Sequence, residues 1–229
     1  RKAIPSVLIP RLYLLLILGG FQGVLGWYMV KSGLVDDPNV SQYRLTAHLG
    51  MAVFIYSLIL WTVFDLSLNY NHAIRSRIKW MSSTLTLLIF LMILSGGLVA
   101  GTRAGIPFPT WPLMGDTFIP PQIYSMNPSW LSAFEDMATI QFNHRMFAYL
   151  LTIFIVIFAI VLLGSNVPRF LKNGTTVLLF VLSLQVVLGI STLLFYIPIP
   201  VAAAHQVGAI ALLSVSLFIT HSCLSREQI

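Results

Sequence analysis

Histidine is a metal ligand through either ring nitrogen, and arginine is a fixed cation that pairs with carboxylates. These two residue types meet in residues 140–149, IQFNHRMFAY, where His144 and Arg145 stand at the mouth of a run that stays almost wholly apolar to Leu163. Ionisable groups at membrane depth are costly unless they have a partner or a function. His48, in SQYRLTAHLG, and His205, in PVAAAHQVG, also stand at the start of long apolar runs. Three ligand-bearing side chains in such places point to a metal held inside a membrane, and the elements that carry them decide how.

Those elements are membrane helices. The chain has 229 residues, of which 57% are hydrophobic and 9% charged, with a mean hydropathy of +0.87. Six segments reach the roughly 20 apolar residues that a span requires, at 12–31, 44–66, 79–101, 141–163, 175–196 and 203–222. The expected fold is therefore an all-α, polytopic membrane helical bundle of six transmembrane helices. The net charge of +6 does not imply nucleic acid, because the basic residues are scattered singly and form no stripe. One cysteine, Cys223, excludes an internal disulfide and a cysteine-only metal site. The chain opens at Arg1 without a methionine and shows no signal or transit peptide, which reads as a mature or truncated product.

Six spans put both termini on one side. Arg1, Lys2, Arg11, Arg75, Arg77, Lys79, Arg169, Lys172 and Arg226 fall there, against Lys31, Arg44, Arg103 and Arg145 opposite. That bias places the termini in the cytoplasm or matrix. His48, His144 and His205 then lie near the outer ends of the second, fourth and sixth helices, which all run in the same direction. Parallel helices with histidine at one depth can clamp a planar metal complex from both faces, and a bis-histidine heme is the natural candidate. His221 is sixteen residues beyond His205, about 24 Å further along a helix. It and His72, in the inner loop NYNHAIRSR, are expected to be solvated or interfacial.

An internal repeat supports the placement. Gln22-Gly-Val-Leu-Gly26 in the first helix matches Gln185-Val-Val-Leu-Gly189 in the fifth, and each leads through an outer loop into Ala47-His48-Leu-Gly50 or Ala204-His205-Gln-Val-Gly208. Such copies are how many membrane proteins build one site in each of two halves. The helix pair carrying His144 has no counterpart here, so the chain is expected to be the last six helices of an eight-helix protein.

Small residues Ala202, Ala203, Ala204 and Gly208 leave room for a porphyrin face beside His205, or serve close helix packing. Arg145 and Arg103 lie at the outer boundary, where they can pair with propionates or obey ordinary interfacial electrostatics. Residues 102–139 carry Pro107, Pro109, Pro112, Pro120, Pro121 and Pro128 among Phe108, Trp111, Phe118 and Trp130. A segment so rich in proline cannot span as a helix and is expected to form an ordered outer cap. Walker, Rossmann, HExxH and serine-elbow motifs are absent from the sequence.

The stretches GGFQGVLGWYMVKSGL (19–34), SQYRLTAHLG (41–50), LSGGLVAGTRAG (94–105), FPTWPLMGDTFIP (108–120), QFNHRMFAYL (141–150) and LQVVLGISTLLFYIPIPVAAAHQVG (184–208) together resemble the heme A synthase family, in its mitochondrial and alphaproteobacterial branch. The resemblance runs through nearly the whole chain. It implies an eight-helix protein of two four-helix halves that oxidises a methyl group of heme O to the formyl group of heme A by successive hydroxylations, for cytochrome c oxidase. Residues 1–70 would then be the last two helices of the N-terminal half, and 71–229 the C-terminal half. The resemblance implies that His144 and His205 hold a cofactor heme b and that His48 is an axial ligand of the substrate heme. The family's catalytic acid is matched in this copy by Gln141, which cannot take a proton at neutral pH, so the acid and a second histidine are expected outside the chain.

Partners implied are the lipid bilayer, heme O synthase, an electron donor and oxidase assembly factors, with a homo-oligomer compatible and no nucleic acid. The mitochondrial inner membrane, or an alphaproteobacterial plasma membrane, is the implied location. The rival reading is a non-enzymatic membrane heme protein, an electron carrier or assembly factor. An inverted-repeat transporter is weaker, because the repeated pairs run the same way.

Overall fold

The structure is a computed structural model that describes residues 5–31, 40–68 and 72–224. Arg1, Lys2 and Arg226 of the charge count, and residues 32–34 of the first family-like stretch, lie outside the described residues. Among the described residues six helices are long and apolar enough to cross a membrane: α1 (Ile9–Lys31), α2 (Gln42–Ser67), α3 (Ser76–Thr102), α5 (Met137–Leu163), α6 (Arg169–Leu194) and α7 (Ile199–Leu224). The short α4 (Ser132–Glu135) lies between α3 and α5. Among the described residues there is no strand, and the chain is an all-helical, multi-pass membrane protein.

The helices outrun the apolar windows. A helix of 26 residues is about 39 Å long, against a hydrocarbon core of about 30 Å, so its ends reach into the headgroup layer and tolerate polar turns. Hence α6 begins at Arg169, six residues before the expected start, and α7 begins at Ile199 with Pro200 in its first turn, where no backbone donor is needed. Likewise α5 starts at Met137, because the Asp136 carboxylate caps it by accepting from the Thr139 backbone N–H at 2.8 Å.

The principal packing closes a ring α3–α5–α6–α7, with α5 and α7 at opposite corners. Its interior is filled by Leu85, Ile89, Ile155, Phe158, Leu162, Leu171, Leu178 and Leu213. The pair α1–α2 stands outside this ring: α2 packs on α3 and α7, while α1 packs chiefly on α2 and buries no residue of its own. Lipid supplies little hydrophobic drive between helices, so close approach and interhelical hydrogen bonds carry the association. Thr86 bonds both Ser216 (2.6 Å) and Thr220 (2.8 Å) across α3–α7, and Tyr56 bonds Ser214 (2.7 Å) across α2–α7.

The α2–α3 contact depends on glycine. A Cβ at Gly101 would stand 2.7 Å from the Gln42 Cα, and one at Gly97 3.0 Å from the Thr46 Oγ1. Backbone at that distance cannot swing aside, so Gly101→Ala should lower stability by about 1–3 kcal/mol. Gly19→Ala on α1, where nothing lies within 4 Å, should cost nothing. Thermal unfolding of the two variants in the same detergent makes the comparison.

At the inner ends of the helices the structure corrects one expectation. His221 is buried, not solvated, and its Nε2 lies 2.8 Å from the Asp65 Oδ1. Asp65 also receives the Arg11 guanidinium, and Arg11 reaches the Thr62 hydroxyl at 3.3 Å. The imidazole is further walled by Trp61, edge-on at 5.0 Å, and by Phe64. A helix-end position alone does not show that a carboxylate seventeen residues past His48 on another helix arrives at the same depth. His72, by contrast, is exposed as expected, with its ring 5.8 Å from that of Phe170.

Candidate functional site

Helix starts set the depth of the three outer histidines. Gln42 to His48 and Ile199 to His205 are each six residues, and Met137 to His144 is seven, so each ring stands roughly 9–10 Å inside its helix end. α5 and α7, which carry His144 and His205, hold opposite corners of the ring.

The repeat seen in sequence is a repeat of local structure. Gln185 on α6 donates its amide N–H to the His205 backbone carbonyl at 2.9 Å, and Gln22 on α1 does the same to His48 at 3.1 Å. One turn further along each glutamine helix a glycine faces the ring: a Cβ at Gly189 would come within 2.9 Å of the His205 Cε1, and one at Gly26 within 3.0 Å of the His48 Cε1. Gly208 serves close packing, since a Cβ there would collide with the Gln185 side-chain oxygen. Ala203 and Ala204 are exposed. The Nδ1 atoms of His48 and His205 are buried with no hydrogen-bond partner, and the Gln22 amide lies 3.4 Å from the His48 Nε2.

The third pair reaches a similar end by other residues. The His144 Nδ1 is 3.0 Å from the Ser95 Oγ, and a Cβ on Gly96 would sit 3.6 Å from the His144 Cε1. Each of the three rings thus lies against a glycine on the helix preceding its own span.

These residues fit a heme. Among the described residues no three His, Cys, Asp or Glu side chains come together, so a cage made of protein alone is not available and a metal would have to bring its own equatorial ligands. Imidazole nitrogens suit iron, and His144 and His205, carried by helices at opposite corners of the ring, are residues that could hold such a group. The unpartnered Nδ1 atoms of His48 and His205, and the glycines that keep the Cε1 edge of each ring open, are observations of the same kind, since buried polar atoms are normally satisfied.

The proline-rich cap is held from below. Arg145, buried in α5, donates to three carbonyls of the loop, those of Phe108 (3.0 Å), Thr110 (2.8 Å) and Leu113 (3.2 Å), and Gln141 donates to Phe108 at 3.0 Å. Tyr149 accepts from the Trp111 indole N–H at 3.1 Å and stacks on Phe118. Within the cap, residues 129–131 form a 3-10 turn leading into α4, and Glu135 accepts from Gln42 (2.8 Å) and Tyr43 (2.6 Å) at the start of α2. The guanidinium of Arg145 is thus turned toward loop backbone, leaving its Nε unpartnered, whereas Arg103 is exposed at the left-handed C-cap of α3. Sequence alone marks Arg145 but not the carbonyls it serves. Arg145→Met, of similar length, removes three charge-assisted bonds, and the cap should become cleavable by protease at 108–119 with a loss of about 2–4 kcal/mol.

The family model for cytochrome oxidase assembly proteins, COX15-CtaA, matches residues 1–217. The chain is 45% identical over 231 residues to the heme A synthase of Nitrosospira multiformis, covering 96% of this chain and 63% of that protein. It is 40% identical over 223 residues to the heme A synthase of Parvibaculum lavamentivorans, again covering 96% and 63%. To heme A synthase COX15 of Bos taurus it is 41% identical over 209 residues, or 87% of this chain and 51% of that protein. The chain therefore spans less than two thirds of the length of these relatives. With matched histidines on a duplicated helix pair and a family match that runs almost end to end, the chain belongs to the COX15-CtaA family of cytochrome oxidase assembly proteins.

Proposed function

We propose that these 229 residues are a heme-holding part of a heme A synthase, which oxidises a methyl group of heme O to a formyl group by successive hydroxylations. The observation that carries the reading is the repeated cradle: Gln22 and Gly26 around His48, and Gln185 and Gly189 around His205. One site built twice on the same plan suits a protein that binds heme both as cofactor and as substrate.

In this reading His144 and His205 are the residues that would hold a heme b in the α3–α5–α6–α7 ring. A heme b bound there would supply one-electron chemistry. His48 is one ligand for the substrate heme, with residues 1–70 and 71–229 belonging to different halves. Gln141 is spent on the Phe108 carbonyl and cannot carry a proton, in keeping with a cofactor half that does not itself oxidise. Arg145 and Gln141 hold the cap over the outer end of the site, where it excludes water. Arg103, exposed at the left-handed C-cap of α3, is the arginine that would meet a propionate. An electron donor, heme O synthase and oxidase assembly factors are the expected partners, in a mitochondrial inner membrane or an alphaproteobacterial plasma membrane.

Pigment extraction from the purified full-length protein tests this. Heme b together with heme O, its hydroxylated product or heme A supports the synthase. Heme b alone, unchanged after supply of heme O and reductant, supports a non-enzymatic heme carrier instead.

A further inference from the structure

We propose that Ser95 is a positioning residue that fixes the tautomer of His144, accepting a hydrogen bond from Nδ1–H so that the Nε2 lone pair is the one presented to a metal. This rests on the reading of His144 as a heme ligand. The Ser95 Oγ lies 3.0 Å from the His144 Nδ1, from the adjacent helix α3. Serine and threonine inside helices commonly bond the carbonyl one turn back, as Ser57, Thr62, Thr102 and Ser214 do here. Ser95 instead reaches across to a ring on another helix.

The comparison with the other two histidines makes the contact informative. Gln185 steadies His205 through its backbone carbonyl, Gln22 steadies His48 through its carbonyl with a long 3.4 Å approach to the ring Nε2, and both rings keep a buried Nδ1 without a partner. His144 is held through the ring itself. An imidazole that donates from the nitrogen remote from the metal is set in one tautomer and one orientation, and it is a more basic ligand. Gly96, beside Ser95 in sequence, keeps the approach open, since a Cβ there would sit 3.6 Å from the His144 Cε1. The two ligands of one heme are therefore unequal: His144 is preset by Ser95, while His205 takes its ring orientation from the packing at Gly189.

The test uses the full-length protein with Ser95→Ala, Ser95→Thr and His144→Ala, reading heme b content after graded detergent washing and the midpoint potential of the bound heme. Loss of a supporting hydrogen bond typically weakens metal binding by about 10–100-fold, and that is the loss expected for Ser95→Ala. Its potential should rise, because a less basic ligand stabilises the oxidised iron less. Ser95→Thr keeps the hydroxyl and should restore both properties. Ser95→Ala with wild-type retention and potential, while His144→Ala loses heme, overturns the role of Ser95 and leaves the heme reading standing. If Ser95→Thr fails to restore a defect of Ser95→Ala, the hydroxyl is not the cause and the proposal also fails. A His144→Ala protein with an unchanged heme spectrum overturns the heme reading itself, and this proposal with it.

Discussion

His205→Ala should remove the reduced heme b band of the purified protein, with a loss of retention greater than the 10–100-fold or so expected when only a supporting residue is changed. Loss of the imidazole would remove one of the two side chains proposed to hold the heme, and the neighbouring alanines and glycine offer no replacement ligand. The right control is His221→Ala. His221 belongs to the same helix but lies at its other end, paired with Asp65, so its loss should weaken the fold and spare the spectrum. A difference spectrum after identical purification distinguishes the two, and a His205→Ala protein with an unchanged band would remove this histidine from the site.

The second large effect is expected at Asp65. Its carboxylate takes Arg11 from α1 on one oxygen and His221 from α7 on the other, so one side chain ties three helices together. Removing one partner of a buried ionic group leaves the others uncompensated, at about 3–5 kcal/mol when burial is complete. Side-chain exposures of 33% for Arg11 and 28% for Asp65 admit some solvent, so about 2–3 kcal/mol is the expected cost of Asp65→Ala. Asp65→Asn, which keeps an acceptor but not the charge, should fall between. Because α1 buries no residue of its own and packs chiefly on α2, its detachment should precede loss of the α3–α5–α6–α7 ring. Protease sensitivity of α1, followed alongside thermal unfolding, would expose that order; a single transition at the wild-type temperature would show that the ionic group adds nothing.

Much of the candidate site's placement was legible because hydropathy, histidine position and the Gln-to-His repeat are all properties of linear spacing. The six helices, the outer depth of His48, His144 and His205, and the pairing of α1–α2 with α6–α7 follow from spacing alone. Glycines at 26 and 189 were visible as a repeated letter, yet their role as the surface against which a ring lies was not, because it depends on the rotation of one helix against its neighbour. For the same reason Ser95, one of several serines and threonines in apolar helices, gave no sign of meeting His144 49 residues away.

By itself the sequence determined that this is a six-span helical membrane chain of the family it resembles, with three histidines at one outer depth, because the bilayer imposes length and apolarity on every span and leaves histidine few reasons to be there. Only the tertiary structure decided what those side chains and their neighbours meet. It turned Arg145 toward loop carbonyls, buried His221 on Asp65 and set Ser95 on His144. Such pairings depend on which helix faces are brought together, and in a membrane, where almost every face is apolar, hydropathy does not distinguish one face from another.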